Sequence, residues 1–206
     1  MRLFEQIIGM SGSNAGSNVC TPQGLTWSST TGSSNRSYFP AYGLYDYSVS
    51  MFIILASELT AGMDCINGIE YHLAGYSTPY TYTDQTIRLV HTQSSSFGTA
   101  VTVGLANLQG LSDDTTVKEN FNFTITGSGF NAISFDTPFE WNGVDNILVI
   151  HENKDGQWNS GYGWGECLSQ GSGVNRGAYY YQDTSYPSDS QVVNIDNRRI
   201  NMKLTY

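Results

Sequence analysis

Residues 130–152, FNAISFDTPFEWNGVDNILVIHE, constrain the fold more than any other stretch. Ile133 and Phe135 alternate with polar neighbours, the period of a strand with one buried face. Pro138 has no N–H for a ladder, so this strand is expected to end near it. Trp141-Asn142-Gly143 then supplies a turn, because Asn and Gly tolerate positive φ. Ile147 to Ile150 is an unbroken apolar run, as in a strand covered on both faces. The two strands are expected to pair as a hairpin at the centre of the molecule. Phe123, Phe135, Phe139, Ile147 and Val149 are then expected to share one core.

The rest of the chain repeats this grammar. Strands are expected at 24–29, 45–56, 65–74, 86–92, 115–126 and 177–183, with a closing strand over 200–206 and a weaker candidate at 100–105. In 45–56, Ser48 and Ser50 precede a wholly apolar run, which suggests an exposed beginning and a buried end. In 65–74, Ile69, Tyr71 and Leu73 fall on one face, Glu70 and His72 on the other. The segments 31–37, 76–84, 93–114 and the long stretch after Glu152 read as loops. No helical period is sustained. The expected fold is an all-β antiparallel β-sandwich, jelly-roll-like, over residues 19–206. Residues 1–18 read as an N-terminal arm: an apolar segment with Leu3, Phe4, Ile7 and Ile8, then the Gly/Ser linker SGSNAGSN.

A net charge of −9 argues against a nucleic-acid partner, since phosphate binding needs clustered Lys and Arg. The one adjacent basic pair, Arg198-Arg199, lies in an expected strand. No run is long and apolar enough for a membrane span. The opening residues, broken by Glu5 and Gln6, do not read as a secretory signal, so the chain is expected to be made without export. The three cysteines, Cys20, Cys65 and Cys167, lie far apart, and buried or incidental thiols are the expectation. One disulfide stays open, with its partners unassigned.

Four segments carry a resemblance. They are YFPAYGLYDYSVSMFIILASEL with its Glu58-Leu59 pair, IRLVHT at 87–92, the Phe139, Trp141-Asn142-Gly143 and Asp145-Asn146 turn, and NRRINMKLTY at 197–206. In this order they resemble β-sandwich modules of Bacteroidota surface proteins and of phages that infect those bacteria. The resemblance spans roughly residues 38–206. It implies a fold and a surface setting, not one reaction.

Chemistry is sparse. His72, His91 and His151 sit in expected strands without metal-ligand spacing. Glu152-Asn153-Lys154-Asp155-Gly156 is half an oxygen-rich loop, with Asp113-Asp114 elsewhere, but it lacks a distal bidentate Glu, so no metal and no cofactor is expected. Glu140, Glu152, Asp155 and Glu166 are carboxylates near aromatic residues, and nothing in their spacing sets two across a cleft. No nucleophile elbow occurs, and no catalytic residue is assigned. Aromatic loops are the stronger signal. Trp158, Tyr162 and Trp164 form one set; Tyr80 and Tyr82, with Tyr76, form another. Exposed rings of this kind stack on sugars or anchor protein interfaces.

Two readings follow. The first is a non-enzymatic virion structural protein, a capsid decoration, head fibre or tail component, that assembles with other virion proteins or copies of itself through the arm. The alternative is a carbohydrate-binding or adhesin module of a bacterial cell surface, with a surface glycan as partner.

Overall fold

A computed structural model describes residues 20–29, 31–74, 79–105, 108, 111–159, 164–169, 171 and 173–206, with backbone only at 112–114, 164 and 167. Two antiparallel sheets pack face to face. The first holds β1 (Thr26–Ser28), β2 (Ser34–Arg36), β4 (Cys65–Ala74), β7 (Gly129–Glu140), β9 (Trp164–Ser169), β12 (Arg198–Ile200) and β13 (Met202–Thr205). The second runs in the order β11 (Asn194–Asp196), β10 (Gly177–Gln182), β3 (Tyr47–Ile54), β8 (Asn146–Asn153), β5 (Tyr80–Thr92) and β6 (Ser112–Ile125).

The apolar run of β8 is buried on both faces, as its sequence implies. Ile147 and Val149 join the core between the sheets, with Phe52, Tyr71, Phe123, Ile133 and Phe139. Leu148 and Ile150 face a second core with Val49, Met51 and Ile53. A cover over the outer side of the second sheet, carrying Phe97, Val101, Val103, Leu105 and Leu108, closes that core. Backbone bonds hold the cover: Phe97 N–H donates to Asn175 C=O at 2.7 Å, and Val193 N–H to Val101 C=O at 3.0 Å. The strand expected at 100–105 is only the bridge between Thr102 and Val192.

Several expectations are corrected. β7 and β8 are not a hairpin. β7 pairs with β4, while β8 lies between β3 and β5 in the other sheet. The turn between them is therefore an arch across the sandwich. Trp141 Nε1 donates to Asp145 C=O at 2.8 Å, and Asn142 Oδ1 accepts the N–H of Val144 and Asp145. Periodicity reports which face is buried, not which sheet a strand joins. β7 does end near Pro138, as expected, at Glu140. The ladder with β4 shifts register between Ile66 and Gly68, leaving 135–138 out of regular pairing, so the missing N–H breaks no bond. Phe135 is only partly buried against the core.

β3 does not begin at an exposed edge. It is flanked by β10 and β8, and Ser48 and Ser50 are buried. Their hydroxyls serve the loop before them: Ser50 Oγ donates to Pro40 C=O, and Ser48 Oγ accepts from Tyr42 N–H at 3.0 Å. Short strands β2 and β9 occupy stretches expected to be loops. The closing strand breaks at Asn201, which is buried because its amide brackets the backbone of Gly32 from both sides.

Arg199 is fully buried and joins the two sheets. Its Nη1 donates to Ile53 C=O at 3.1 Å and to Glu58 Oε2 at 2.8 Å, and Nη2 to Glu58 Oε1 at 2.9 Å. Burial works against the charge on Glu58. The hydrogen bonds and charge of Arg199, the Leu55 N–H and Arg176 outweigh it, holding the carboxyl below its ordinary value. Cys20 and Cys65 form a disulfide, which corrects the expectation of free thiols for this pair. Residue spacing carries no distance information, so the pairing was not legible. The arm residues Leu3, Phe4, Ile7 and Ile8 lie outside the described residues.

Candidate binding surface

β10 reads Gly-Ala-Tyr-Tyr-Tyr-Gln, and alternation sends Tyr179 and Tyr181 to one side. Their partners on β3 are Ser50 and Ser48, small residues that leave space above the sheet. The segment from Tyr38 to Tyr45 fills part of it. Tyr38 stacks on Tyr179 with centroids 3.8 Å apart, and Tyr179 lies parallel to Tyr181 at 6.0 Å. Tyr42 meets Tyr181 edge-on at 4.9 Å, and Tyr45 approaches it at 4.3 Å. All five rings are half-buried, so each is fixed by its neighbours while part of it meets solvent. Rigid amphipathic rings of this kind bind at low entropic cost.

Trp158 belongs to the same end. It is 65% exposed, and the next residue, Asn159, donates its N–H to Gly43 C=O. Gly156 N–H donates to Asp46 C=O at 2.9 Å. Gly156 has φ +68°, and a Cβ there would meet the Tyr47 hydroxyl at 3.4 Å, so glycine suits this docking of one loop on the other. The exposed tryptophan and the tyrosine cluster thus flank one loop junction.

The other expected aromatic residues divide. Tyr80 and Tyr82 are not in a loop: they open β5. Tyr82 is 1% exposed, stacked toward Phe123 in the core, so it presents no face to a ligand. Tyr80 is half-buried, and its hydroxyl donates to Asp155 Oδ2 at 2.7 Å. Burial, then Asp155 and Asp46, raises that hydroxyl's pKa. Trp164 enters β9 by its backbone, opposite Ala74. Tyr76 and Tyr162 lie outside the described residues. The tyrosines at 38, 42, 45, 179 and 181 were missed as a set. The available signal was a tyrosine-rich strand paired with a serine-rich one, and nothing in the sequence pairs 177–182 with 47–52.

Three of the four carboxylates, Glu152, Asp155 and Glu166, have protein partners. Glu152 lies 3.4 Å from Arg88 Nε and 2.7 Å from Lys154 Nζ. Glu166 lies 2.7 Å from His72 Nδ1. Asp155 accepts from Thr83 N–H, the Thr83 hydroxyl and Tyr80. Glu140 is exposed at the end of β7. Among the described residues, no three His, Cys, Asp or Glu side chains are placed to hold a metal. His91 Nε2 accepts from Asn142 N–H at 3.2 Å. His151 is fully buried, with Nε2 3.0 Å from Gln85 Oε1 and Nδ1 3.4 Å from the Tyr71 hydroxyl. Burial pushes its pKa down to about 3, so the ring is neutral in the fold.

No known family, curated protein or solved structure matches this chain.

Proposed function

We propose that this chain is a non-enzymatic virion structural protein, a decoration, fibre or tail component, whose sandwich attaches to a cell-surface glycan. The observation that carries the attachment is the rigid tyrosine cluster beside exposed Trp158. One aromatic contact contributes only about 0.5–1.5 kcal/mol beyond burial. Many copies on one particle raise weak single contacts to useful avidity. The resemblance to modules of Bacteroidota surface proteins and their phages supports the setting. Residues 1–18 are the assembly arm in this reading, and the Cys20–Cys65 disulfide ties Cys20 to the start of β4.

The disulfide also favours the second reading, an adhesin module of a bacterial cell surface, because such bonds persist outside the reducing cytosol. An antibody to the sandwich separates the two by labelling purified particles or cell envelopes. The attachment itself is tested by binding the protein to immobilised surface glycans. Trp158→Ala and Tyr45→Ala should each weaken binding several-fold without lowering the melting temperature. Binding untouched by both overturns the surface. Turnover of glycosides or peptides abolished by Glu152→Gln or Glu166→Gln overturns the non-enzymatic assignment.

A further inference from the structure

Beside the tyrosine stack lies an open recess of about 500 Å³, bordered by Tyr38, Tyr179, Asn175, Asp196, Asn197 and Arg198. Asp196, 6% exposed, is its fixed point. Its Oδ2 accepts from the Tyr38 hydroxyl at 2.7 Å and lies 3.6 Å from Arg36 Nε. Its Oδ1 accepts from Arg198 N–H at 2.9 Å and from Arg198 Nε at 2.8 Å. The Arg198 guanidinium is therefore held at Nε, and among the described residues its Nη1 and Nη2 donors make no hydrogen bond. The side-chain amides of Asn175 and Asn197, both half-buried, also make none among the described residues. Asp196, the carboxylate at the recess, is paired with two guanidinium groups, Arg198 at its border and Arg36 behind it.

A pre-oriented guanidinium edge matches a carboxylate, taking it through two parallel N–H bonds. Primary amides both donate and accept, as hydroxyl recognition requires. Aromatic rings at the border suit the apolar face of a sugar ring. The chain's overall negative charge opposes an anion only at long range, and at physiological salt screening confines that field to about 8 Å.

We propose that this recess binds a carboxylate-bearing sugar, a uronic acid unit of a surface polysaccharide, with Arg198 on the carboxylate and Asn175 and Asn197 on ring hydroxyls. This rests on the attachment reading and narrows it to an acidic glycan.

The test titrates the intact protein with a galacturonic acid trimer, its carboxyl-reduced neutral trimer, and sodium acetate, by calorimetry and by NMR of the side-chain amides. The acidic trimer should bind at least tenfold more tightly than the neutral one, and shift the Asn175 and Asn197 amide signals. Acetate should not displace it. Arg198→Gln, checked by its melting temperature, should abolish the preference. If that variant fails to fold, Asn197→Ala and the amide shifts of the intact protein still decide. Equal affinity for both trimers, full displacement by acetate, or unshifted amides would overturn the recess while leaving attachment through Trp158 standing. Failure to bind any glycan, neutral or acidic, would overturn both.

Discussion

His151 shows how much a single buried side chain governs. It is neutral among Gln85, Tyr71 and the core rings, with a pKa near 3 against 6.5 for the free group. In the unfolded chain it takes up a proton at higher pH than in the fold. Stability is therefore complete above about pH 6.5 and falls as the pH drops toward 3, by up to several kcal/mol. Chemical denaturation across this window should show the slope, and His151→Phe should flatten it; an unchanged slope would show that another group carries the titration. Glu58 acts at lower pH. Its folded pKa is depressed, so its contribution is full above the ordinary value of 4.5 and is lost as the pH falls through the folded value. Glu58→Gln leaves the buried Arg199 without its carboxylate, at a cost of about 3–5 kcal/mol. Arg199→Met in that background should recover part of the loss in a urea titration. None of this was legible in the sequence, where Arg199 read only as half of a basic pair.

At the scale of elements, the sequence revealed burial better than pairing. The unbroken run in β8 and the two faces of β4 emerged with their expected burial. The expected β7–β8 hairpin became an arch, because a period of two is the same in either sheet. Ser48 and Ser50 looked like solvent-facing residues and are hydrogen-bonded under the Tyr38–Tyr45 segment instead. The same uncertainty concealed the tyrosine cluster, which exists only because β10 pairs with β3. Phe123 lies fully within the core and Phe135 at its border, so their truncations should separate. Phe123→Ala should cost about 3–5 kcal/mol, and Phe135→Ala less than half of that. Equal costs in urea melts would mean that β7 packs more deeply than described.

At the scale of the molecule, a disulfide and a doubly covered sheet hold an aromatic end in place. The bond between Cys20 and Cys65 spans 45 residues and constrains the unfolded chain. Cys20→Ser should therefore lower stability by about 2–4 kcal/mol, visible as a lower melting temperature than that of the oxidised protein. Deleting residues 1–18 should leave that melting temperature unchanged and reduce incorporation into particles or oligomers. Loss of the thermal transition would place the arm in the fold rather than in assembly. The central claim is attachment through the Tyr38–Tyr181 cluster and Trp158. Its most direct measurement is the binding of fluorescently labelled protein to Bacteroidota cells before and after periodate oxidation of surface glycans, with the Tyr45→Ala/Trp158→Ala double variant alongside. The account predicts saturable binding that oxidation removes and the double variant weakens about tenfold, or ~1.4 kcal/mol. Binding of equal strength after oxidation and by the folded double variant would contradict it.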